Sequence, residues 1–309
     1  MKNIAQSIRI EPAFDEPESI RAMFERHAPY PTIAEYLPRS AEVSGLPYFR
    51  GNWATGGEAL VDGAETILHN QRFIDAARTL FGAARIRPKF IVVNLTAPMP
   101  PGPTHVDIPT FHGATRDRYP LGFLKAMGAS ELFEQWRVIQ AGAVSWFYDG
   151  PGGNFEYWPE GLDGPMLTER APFHNVAIMA DNDRMYHRIG RVGAPDAKLP
   201  RMSASAEIRP VDGNWAIVEN GETRATYPSN AIRLSLVWKA DLETEATVES
   251  LTLDRVMSIF IADLRRRISD FHLPAEPLSD SEWLALLDRV YSVRSGSENA
   301  KEPNEDRAK

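Results

Sequence analysis

The middle of the chain is a succession of short segments rich in β-branched and aromatic residues, with glycine or proline between one segment and the next. The first of these segments is KFIVVNLTAP, from Lys89, and the last is AIRLSLVW, which ends at Trp238. Such side chains fit a pleated, half-buried surface, and glycine and proline mark turns. We therefore predict about eight strands over residues 88–240, most of them joined as hairpins.

Three local patterns predict which strands pair. The segment AVSWFYDGPGGNFEYWPEG is the clearest predicted hairpin, with two aromatic arms around a glycine-rich turn. A tight turn at residues 181–183 predicts a second strand pair, and DGN at residues 212–214 predicts another hairpin. In the first hairpin, alternation places Trp146 and Tyr148 on one face and Phe147 on the other. Aromatic side chains in that arrangement are typical of a core and also of an apolar ligand pocket.

Helical patterns flank the strand region on both sides. Apolar residues recur at helical spacing within residues 14–82 and again within residues 250–294, whereas residues 295–309 are polar and predicted to be disordered. Residues 111–140 interrupt the strands and have helical character, which fits either a lid over a site or a plain packed excursion. No linker is visible, so we expect one catalytic domain over residues 1–294.

The composition excludes several classes of protein. A net charge of -8 with a pI of about 5.5 argues against a nucleic-acid surface, which needs clustered cations. The chain has no cysteine, so disulfides, iron-sulfur clusters and thiolate zinc sites are excluded. Charged residues and proline break up the N-terminal segment, which predicts neither a signal peptide nor a membrane span. We expect a cytoplasmic protein that has a small-molecule partner and that can form a homodimer.

The segment Pro103–Pro109, PTHVDIP, carries half of a metal site. In an extended segment, residues two apart point to the same side, so His105 and Asp107 present an imidazole and a carboxylate together. A histidine from another strand would complete the two-His, one-carboxylate set that holds non-haem Fe(II). We prefer His187 as this third ligand because its strand is better formed than the one that begins near His174, the alternative. His112 lies beyond a loop and is a weaker competitor.

Polar residues in two strongly apolar strands are candidates for a second kind of site. Arg233 and Ser235 alternate with Ile232 and Leu234, so Arg233 either faces outward from an edge strand or points inward and meets an anion, because an unpaired buried charge is costly. Asn94 interrupts the strand that begins at Lys89. It either bonds the backbone or faces a polar pocket.

Taken together, these residues resemble the Fe(II)/2-oxoglutarate-dependent dioxygenase superfamily over roughly residues 70–240. In that family a His-x-Asp pair and a distal histidine bind iron, which His105, Asp107 and His187 match. A basic residue on a later strand, often within Arg-x-Ser, binds the far carboxylate of 2-oxoglutarate, and Arg233 with Ser235 looks like this unit. The run before His105 is similar to the phytanoyl-CoA hydroxylase branch, and Asp181-Asn182 before His187 is similar to the taurine dioxygenase branch.

The resemblance implies a mainly β protein with flanking helices and a double-stranded β-helix core, the jelly roll of the cupin type. It implies Fe(II), 2-oxoglutarate and O2 as cofactor and cosubstrates, with Arg233, Ser235 and Asn94 at the cosubstrate and Trp146, Tyr148 and Phe111 around the substrate. Because Asp107 is present, hydroxylation or desaturation is expected rather than halogenation. The expected substrate is small and hydrophobic.

One departure from the family pattern concerns the arginine. In the family it follows the distal histidine by a short interval, whereas Arg233 stands 46 positions beyond His187. An inserted hairpin would explain the gap, and the other candidates for this role are Arg188, Arg191, Arg201 and Arg209. Two different classes of protein stay open as alternatives: a non-catalytic jelly-roll binding protein, and a cupin-like isomerase or hydrolase that uses another divalent metal.

Overall fold

The structure is a computed structural model, and it describes residues 5–36, 46–83, 85–197, 199–243, 248–272 and 278–291. The chain divides into two compact units: Met1–Pro103 with Gln140–Glu243 forms the first, and Thr104–Ile139 with Thr244–Lys309 forms the second. The expectation of a single catalytic domain over residues 1–294 stays a prediction. The predicted disordered tail, 295–309, lies outside the described residues.

Within the described residues we number the strands and helices in chain order. The strands are β1 (Ser7–Ile10), β2 (Tyr30–Pro31), β3 (Tyr48–Thr55), β4 (Glu58–Ala59), β5 (Arg85–Thr96), β6 (Thr110–Phe111), β7 (Arg137–Val138), β8 (Gln140–Tyr148), β9 (Phe155–Trp158), β10 (Leu167–Glu169), β11 (Phe173–Ala180), β12 (Tyr186–Ile189), β13 (Glu207–Val211), β14 (Asn214–Glu219), β15 (Glu222–Pro228) and β16 (Arg233–Glu243). The helices are α1 (Pro17–Arg26), α2 (Ala64–Leu68), α3 (Gln71–Phe81), α4 (Leu121–Ser130), α5 (Leu253–Arg267) and α6 (Asp280–Tyr291).

The core of the first unit is a double-stranded β-helix, as the sequence predicted. A seven-stranded sheet has the order β1-β11-β8-β16-β5-β3-β4, and a three-stranded sheet has the order β10-β9-β12. The chain moves from the large sheet (β8) to the small one (β9 and β10), returns to the large one (β11), and moves to the small one again (β12) before it ends in the large one (β16). This repeated exchange between two sheets defines a jelly roll.

The two faces of the large sheet have different surroundings. One face carries Phe49, Leu95, Phe147 and Trp238 and packs in one cluster with residues of α1, α2 and α3. The opposite face belongs to a second cluster, which joins aromatic residues of the large sheet with residues of the small sheet; its aromatic members are Trp146, Tyr148, Phe155, Tyr157 and Phe173. We call this second side the inner face. As predicted, Trp146 and Tyr148 share a face and Phe147 lies on the other.

Two of the predicted strand pairs are wrong. Strands β8 and β9 were expected to form a hairpin, but β8 pairs with β11 and β16, whereas β9 pairs with β10 and β12. In the same way β11 and β12 flank the turn at residues 181–183 without pairing to each other. A turn sequence makes the chain change direction, and it does not specify whether the next strand joins the same sheet or the facing one.

The segment between β12 and β16 accounts for the long interval between His187 and Arg233. Strand β13 pairs with β14 and β14 with β15, which confirms the hairpin predicted at residues 212–214. With β2 these strands form a separate four-stranded sheet, outside the two sheets of the jelly roll. The interval therefore contains an inserted sheet. After it, the chain returns to the large sheet as β16.

The second unit has an aromatic core of its own. Residues of α4, α5 and α6 form one buried cluster with Phe111 and Phe133, whose ring centroids lie 6.2 Å apart. Strand β6 pairs with β7 in a short two-stranded sheet. The helical character predicted for residues 111–140 is present in α4, and a lid function for this segment stays a prediction. Among the described helices, none has the length and apolar character needed to span a membrane.

A buried ion pair fixes the turn that leads into β12. Lys239 of β16 donates to the carboxylate of Asp183 at 3.1 Å, and the two side chains are 11% and 2% exposed. The backbone N–H of Asp183 also donates to Asp181 Oδ1, 3.2 Å away. On β8, a Cβ added to Gly142 would lie 3.0 Å from the side-chain amide nitrogen of Asn182, so the turn packs tightly against this glycine.

We expect Lys239→Met to lower the free energy of unfolding by about 3 kcal/mol, because it removes a cation from a carboxylate that stays buried. The matched control is Arg78→Met, since Arg78 pairs with Asp75 at 2.9 Å where both side chains are at least half exposed; such pairs contribute about 1 kcal/mol or less. Urea denaturation measures both changes. A loss for Lys239→Met no larger than that for Arg78→Met would contradict the assigned role.

Candidate active site

His187 is oriented by the turn that precedes it. The residue lies on β12 and is 8% exposed. Its Nδ1 lies 2.9 Å from the carbonyl oxygen of Met185, and an N–H at Nδ1 donating to that carbonyl leaves Nε2 with its lone pair. Histidines that bind metals commonly use one ring nitrogen for the metal and the other for a hydrogen bond of this kind. The ring of Phe155 lies 5.7 Å from that of His187, centroid to centroid.

The structure brings His187 together with His105 and Asp107. Each residue offers one ligand atom, and the three atoms lie within 4.8 Å of one another. Two neutral imidazoles and one carboxylate form the donor set that non-haem Fe(II) enzymes use, with other coordination positions left for substrates. The residues present therefore fit a divalent iron.

Other histidines of the described chain lie in different surroundings. His174, the alternative third ligand, is exposed and lies 3.1 Å from Asp149. His69 is exposed and lies beside Glu65. The side chain of His27 contacts the carbonyl oxygen of Asp62. In the described part of the chain, the only cluster of three or more metal-ligating side chains is the one that contains His187.

Arg233 is a buried cation. It is 1% exposed and lies on β16, between β5 and β8 in the middle of the large sheet, so the interpretation as an outward-facing arginine on an edge strand is wrong. Its Nε donates to the carbonyl oxygen of Gly153 at 2.7 Å. The guanidinium carbon lies 5.7 Å from the ring centroid of Trp146 and 5.8 Å from that of Phe173. Burial lowers the pKa of Arg233 to about 10, which still leaves it charged at neutral pH.

Three hydrogen-bonding groups without a partner meet on the inner face. Thr96 Oγ1, Trp146 Nε1 and Arg233 Nη2 are buried, and among the described residues none of them has a hydrogen-bond partner. Thr96 lies directly opposite Arg233, and Trp146 lies opposite Ser235, so all three side chains share the face of Arg233. A buried N–H without an acceptor costs roughly 1–3 kcal/mol. Three groups that can donate, one of them cationic, form a site for an anion with several oxygen atoms.

Sequence reasoning missed Thr96 in this group. The residue follows Asn94 by two positions and therefore shares its face, so the alternation that singled out Asn94 also points to Thr96. Its position opposite Arg233 depends on strand pairing across more than a hundred residues. That register was not visible in the local pattern.

The remaining cosubstrate candidates have different surroundings. Ser235 is 2% exposed, and it lies opposite Asn94 and Trp146 on the inner face. Asn94 is buried there too, and its Oδ1 accepts a hydrogen bond from Arg50 Nε at 2.9 Å. Of the other arginines, Arg188 is paired with Glu156 at 2.6 Å. The other three candidates are exposed: Arg191, Arg201 and Arg209.

The three predicted pocket residues are all buried but have different neighbours. Trp146 lies between Phe155 and Phe173, each 5.0 Å away by ring centroids. Tyr148 donates through its hydroxyl to the carbonyl oxygen of Pro151, and burial raises its pKa. Both residues belong to the cluster on the inner face. Phe111 belongs instead to the aromatic core of the second unit.

Comparison with known proteins gives likenesses to solved structures alone. No family model matches the chain, and no curated protein matches it. An oxidoreductase of the 2OG-Fe(II) oxygenase family from Burkholderia pseudomallei is 14% identical, with a TM-score of 0.44, over 79% of this chain and 88% of that one. A Pseudomonas putida prolyl-4-hydroxylase is 12% identical, with a TM-score of 0.43, over 77% and 94%. HygX from Streptomyces hygroscopicus, with nickel and 2-oxoglutarate bound, is 12% identical, with a TM-score of 0.41, over 81% and 89%. Because these TM-scores are below 0.5, the functional proposal depends on the side chains described above.

Proposed function

We propose that this protein is an Fe(II)/2-oxoglutarate-dependent oxygenase that hydroxylates or desaturates a small organic substrate with a hydrophobic body. The observation that carries the proposal is the convergence of His105, Asp107 and His187, whose ligand atoms lie within 4.8 Å of one another. A cysteine-free chain has no softer ligands to offer, and two imidazoles with one carboxylate suit non-haem Fe(II) with open positions. A cytoplasmic location and the capacity to form a homodimer belong to the same proposal.

His105, Asp107 and His187 would hold the iron, which when bound supplies the activation of O2 that a protein side chain cannot provide. The hydrogen bond from His187 to Met185 keeps the imidazole in one orientation and one tautomer. The burial of His187 limits the access of water to this ligand.

Arg233 supports the identity of the cosubstrate. Its planar guanidinium is suited to a carboxylate, and the unpartnered groups of Thr96 and Trp146 share its face. A 2-oxo acid with a second carboxylate fits such a site. Its far carboxylate would neutralise Arg233, and its 2-oxo acid group would bind the iron. In hydroxylation, 2-oxoglutarate, O2 and a substrate C–H group give succinate, CO2 and a C–OH group.

The aromatic cluster on the inner face favours a substrate with apolar surface. Trp146, Phe155 and Phe173 lie in contact, and the ring of Phe155 reaches that of His187. A set of tilted rings beside a metal ligand makes the surroundings of that ligand apolar, which suits an aliphatic or aromatic substrate better than a polar one.

Removing a proposed metal ligand tests the site directly. We expect His187→Ala and Asp107→Ala each to weaken Fe(II) binding by at least about 100-fold, which is more than the loss typical of a residue that does not bind the metal itself. Each variant should also abolish the release of succinate from 2-oxoglutarate. Anaerobic equilibrium dialysis measures the first change and chromatography the second.

His174→Ala is the matched control, because His174 is an exposed histidine of the same unit as His187 and lies outside the cluster. This variant should bind iron like the parent protein. Unchanged iron binding in His187→Ala, or an equal loss in His174→Ala, would contradict the metal site. If the parent protein binds iron but does not convert 2-oxoglutarate with any substrate, the alternative of a cupin-like isomerase or hydrolase is favoured. If it binds no metal, the alternative of a non-catalytic binding protein is favoured.

The anion site gives a prediction in which stability and binding change in opposite directions. We expect Arg233→Met to leave the melting temperature of the ligand-free protein unchanged or higher, because the variant removes a buried charge that has no anion partner among the described residues. The same change should weaken 2-oxoglutarate binding by about 100-fold, the loss of a buried charge-assisted pair.

Thermal unfolding with and without 2-oxoglutarate measures both effects. Arg191→Met provides the control, since Arg191 is exposed and was an alternative anchor. If Arg191→Met loses the stabilisation by 2-oxoglutarate and Arg233→Met keeps it, the cosubstrate site is assigned to the wrong arginine.

A further inference from the structure

A second arginine, Arg50, lies on the inner face of the large sheet. It is partly buried on β3, and its Nε donates to Asn94 Oδ1 at 2.9 Å. Asn94 is 2% exposed, so the residue that holds Arg50 is itself fixed in the interior. The guanidinium of Arg50 is therefore held in one orientation by a neutral side chain, that of Asn94.

The strand register places Arg50 relative to the proposed anion site. Arg50 lies opposite Asn94, and Asn94 lies opposite Ser235, so these three residues form one row across the sheet. The adjacent row contains Tyr48, Thr96 and Arg233. With strands about 4.8 Å apart and a rise of about 3.3 Å per residue, the Cα atoms of Arg50 and Arg233 are separated by about 12 Å.

The charge of Arg50 is not balanced by a carboxylate of the described residues. Asn94, which accepts the hydrogen bond from Arg50 Nε, carries no charge. Another partly buried arginine of the same unit, Arg188, does have an acidic partner, since its Nε lies 2.6 Å from Glu156. A partly desolvated cation in a fixed orientation is suited to an anion that arrives from outside the protein.

The contact with Arg50 also changes the assignment of Asn94. The amide oxygen of Asn94 accepts from Arg50, which gives Asn94 a positioning role toward that arginine, while its place at the cosubstrate stays a prediction. In the proposed reaction the two carboxylates of 2-oxoglutarate are both accounted for, one at Arg233 and one at the iron. Arg50 is the remaining cation of the two rows.

We infer that Arg50, positioned by Asn94, binds an oxyanion group of the primary substrate, and that this substrate is an organic acid with an apolar body. The inference rests on the proposed oxygenase function and specifies its substrate class. The apolar body fits the partly buried side chains at the edge of the aromatic cluster, Tyr48 and Val237, and the acid group fits the guanidinium fork of Arg50.

The test uses the full chain with Zn(II) in place of iron and with saturating 2-oxoglutarate, so that the site at Arg233 is filled and no turnover occurs. The probes are butanoate, octanoate, phenylacetate and indoleacetate, each compared with its primary amide by calorimetry. We expect at least one acid to bind about tenfold more tightly than its amide, because only the acid forms charge-assisted hydrogen bonds.

Arg50→Gln should remove this preference for the acid and leave the affinity for 2-oxoglutarate within about twofold of the parent value, a difference of less than 1 kcal/mol. Arg87→Gln is the matched control and should keep the preference, since Arg87 lies on β5, is 59% exposed and pairs with Glu243. Asn94→Leu should weaken the preference while Arg50 remains charged.

Three results would overturn the inference: no acid preferred over its amide by the parent protein, a preference that survives Arg50→Gln, or a loss of 2-oxoglutarate affinity in Arg50→Gln as large as that in Arg233→Met. The last result would place Arg50 in the cosubstrate site. Failure of the parent protein to bind 2-oxoglutarate would contradict the proposed function instead, and the acid and amide titrations with Zn(II) alone would then decide the role of Arg50.

Discussion

A guanidinium buried inside a β-protein is the constraint on which the account depends. Removing Arg233 from water costs several kcal/mol unless an opposite charge is supplied, and the pKa of Arg233, lowered to about 10, expresses that cost. One carbonyl oxygen, from Gly153, and two aromatic rings are the neighbours that offset part of it. A dicarboxylic cosubstrate would supply the missing charge, so we interpret the cost of burying Arg233 as the source of affinity for an anion.

The fold provides the place for this charge by giving the large sheet two different faces. The face with Phe49, Leu95 and Trp238 packs with the N-terminal helices and is apolar. The inner face carries polar side chains in two adjacent rows, which begin at Tyr48 and Arg50 on β3. Because alternation along a strand has a period of two, a shift of the register by one residue would bury these polar groups against the helices. The register of β5 with β3 and β16 is therefore a functional property as well as a structural one.

Periodicity predicted much of the site from local sequence. Alternation placed His105 with Asp107 and Arg233 with Ser235, and the structure agrees for both pairs. The predicted hairpin of β8 with β9 was wrong because the turn residues at Gly150–Asn154 reverse the chain but do not determine which sheet the next strand joins. The partners of Thr96 and Arg50 could not be predicted either. Both depend on which strands become neighbours, and the hydrogen bond from Arg50 to Asn94 joins residues 44 positions apart.

Centrally, we propose that one molecule of 2-oxoglutarate binds both to the metal held by His105, Asp107 and His187 and to Arg233. The most direct test is the affinity for 2-oxoglutarate measured by calorimetry without oxygen, in the presence and in the absence of Fe(II). We expect binding at least about tenfold tighter with iron, because the metal and the guanidinium would then bind opposite ends of the same dicarboxylate. An affinity that does not change when iron is added would contradict it, since the two groups would then serve different ligands.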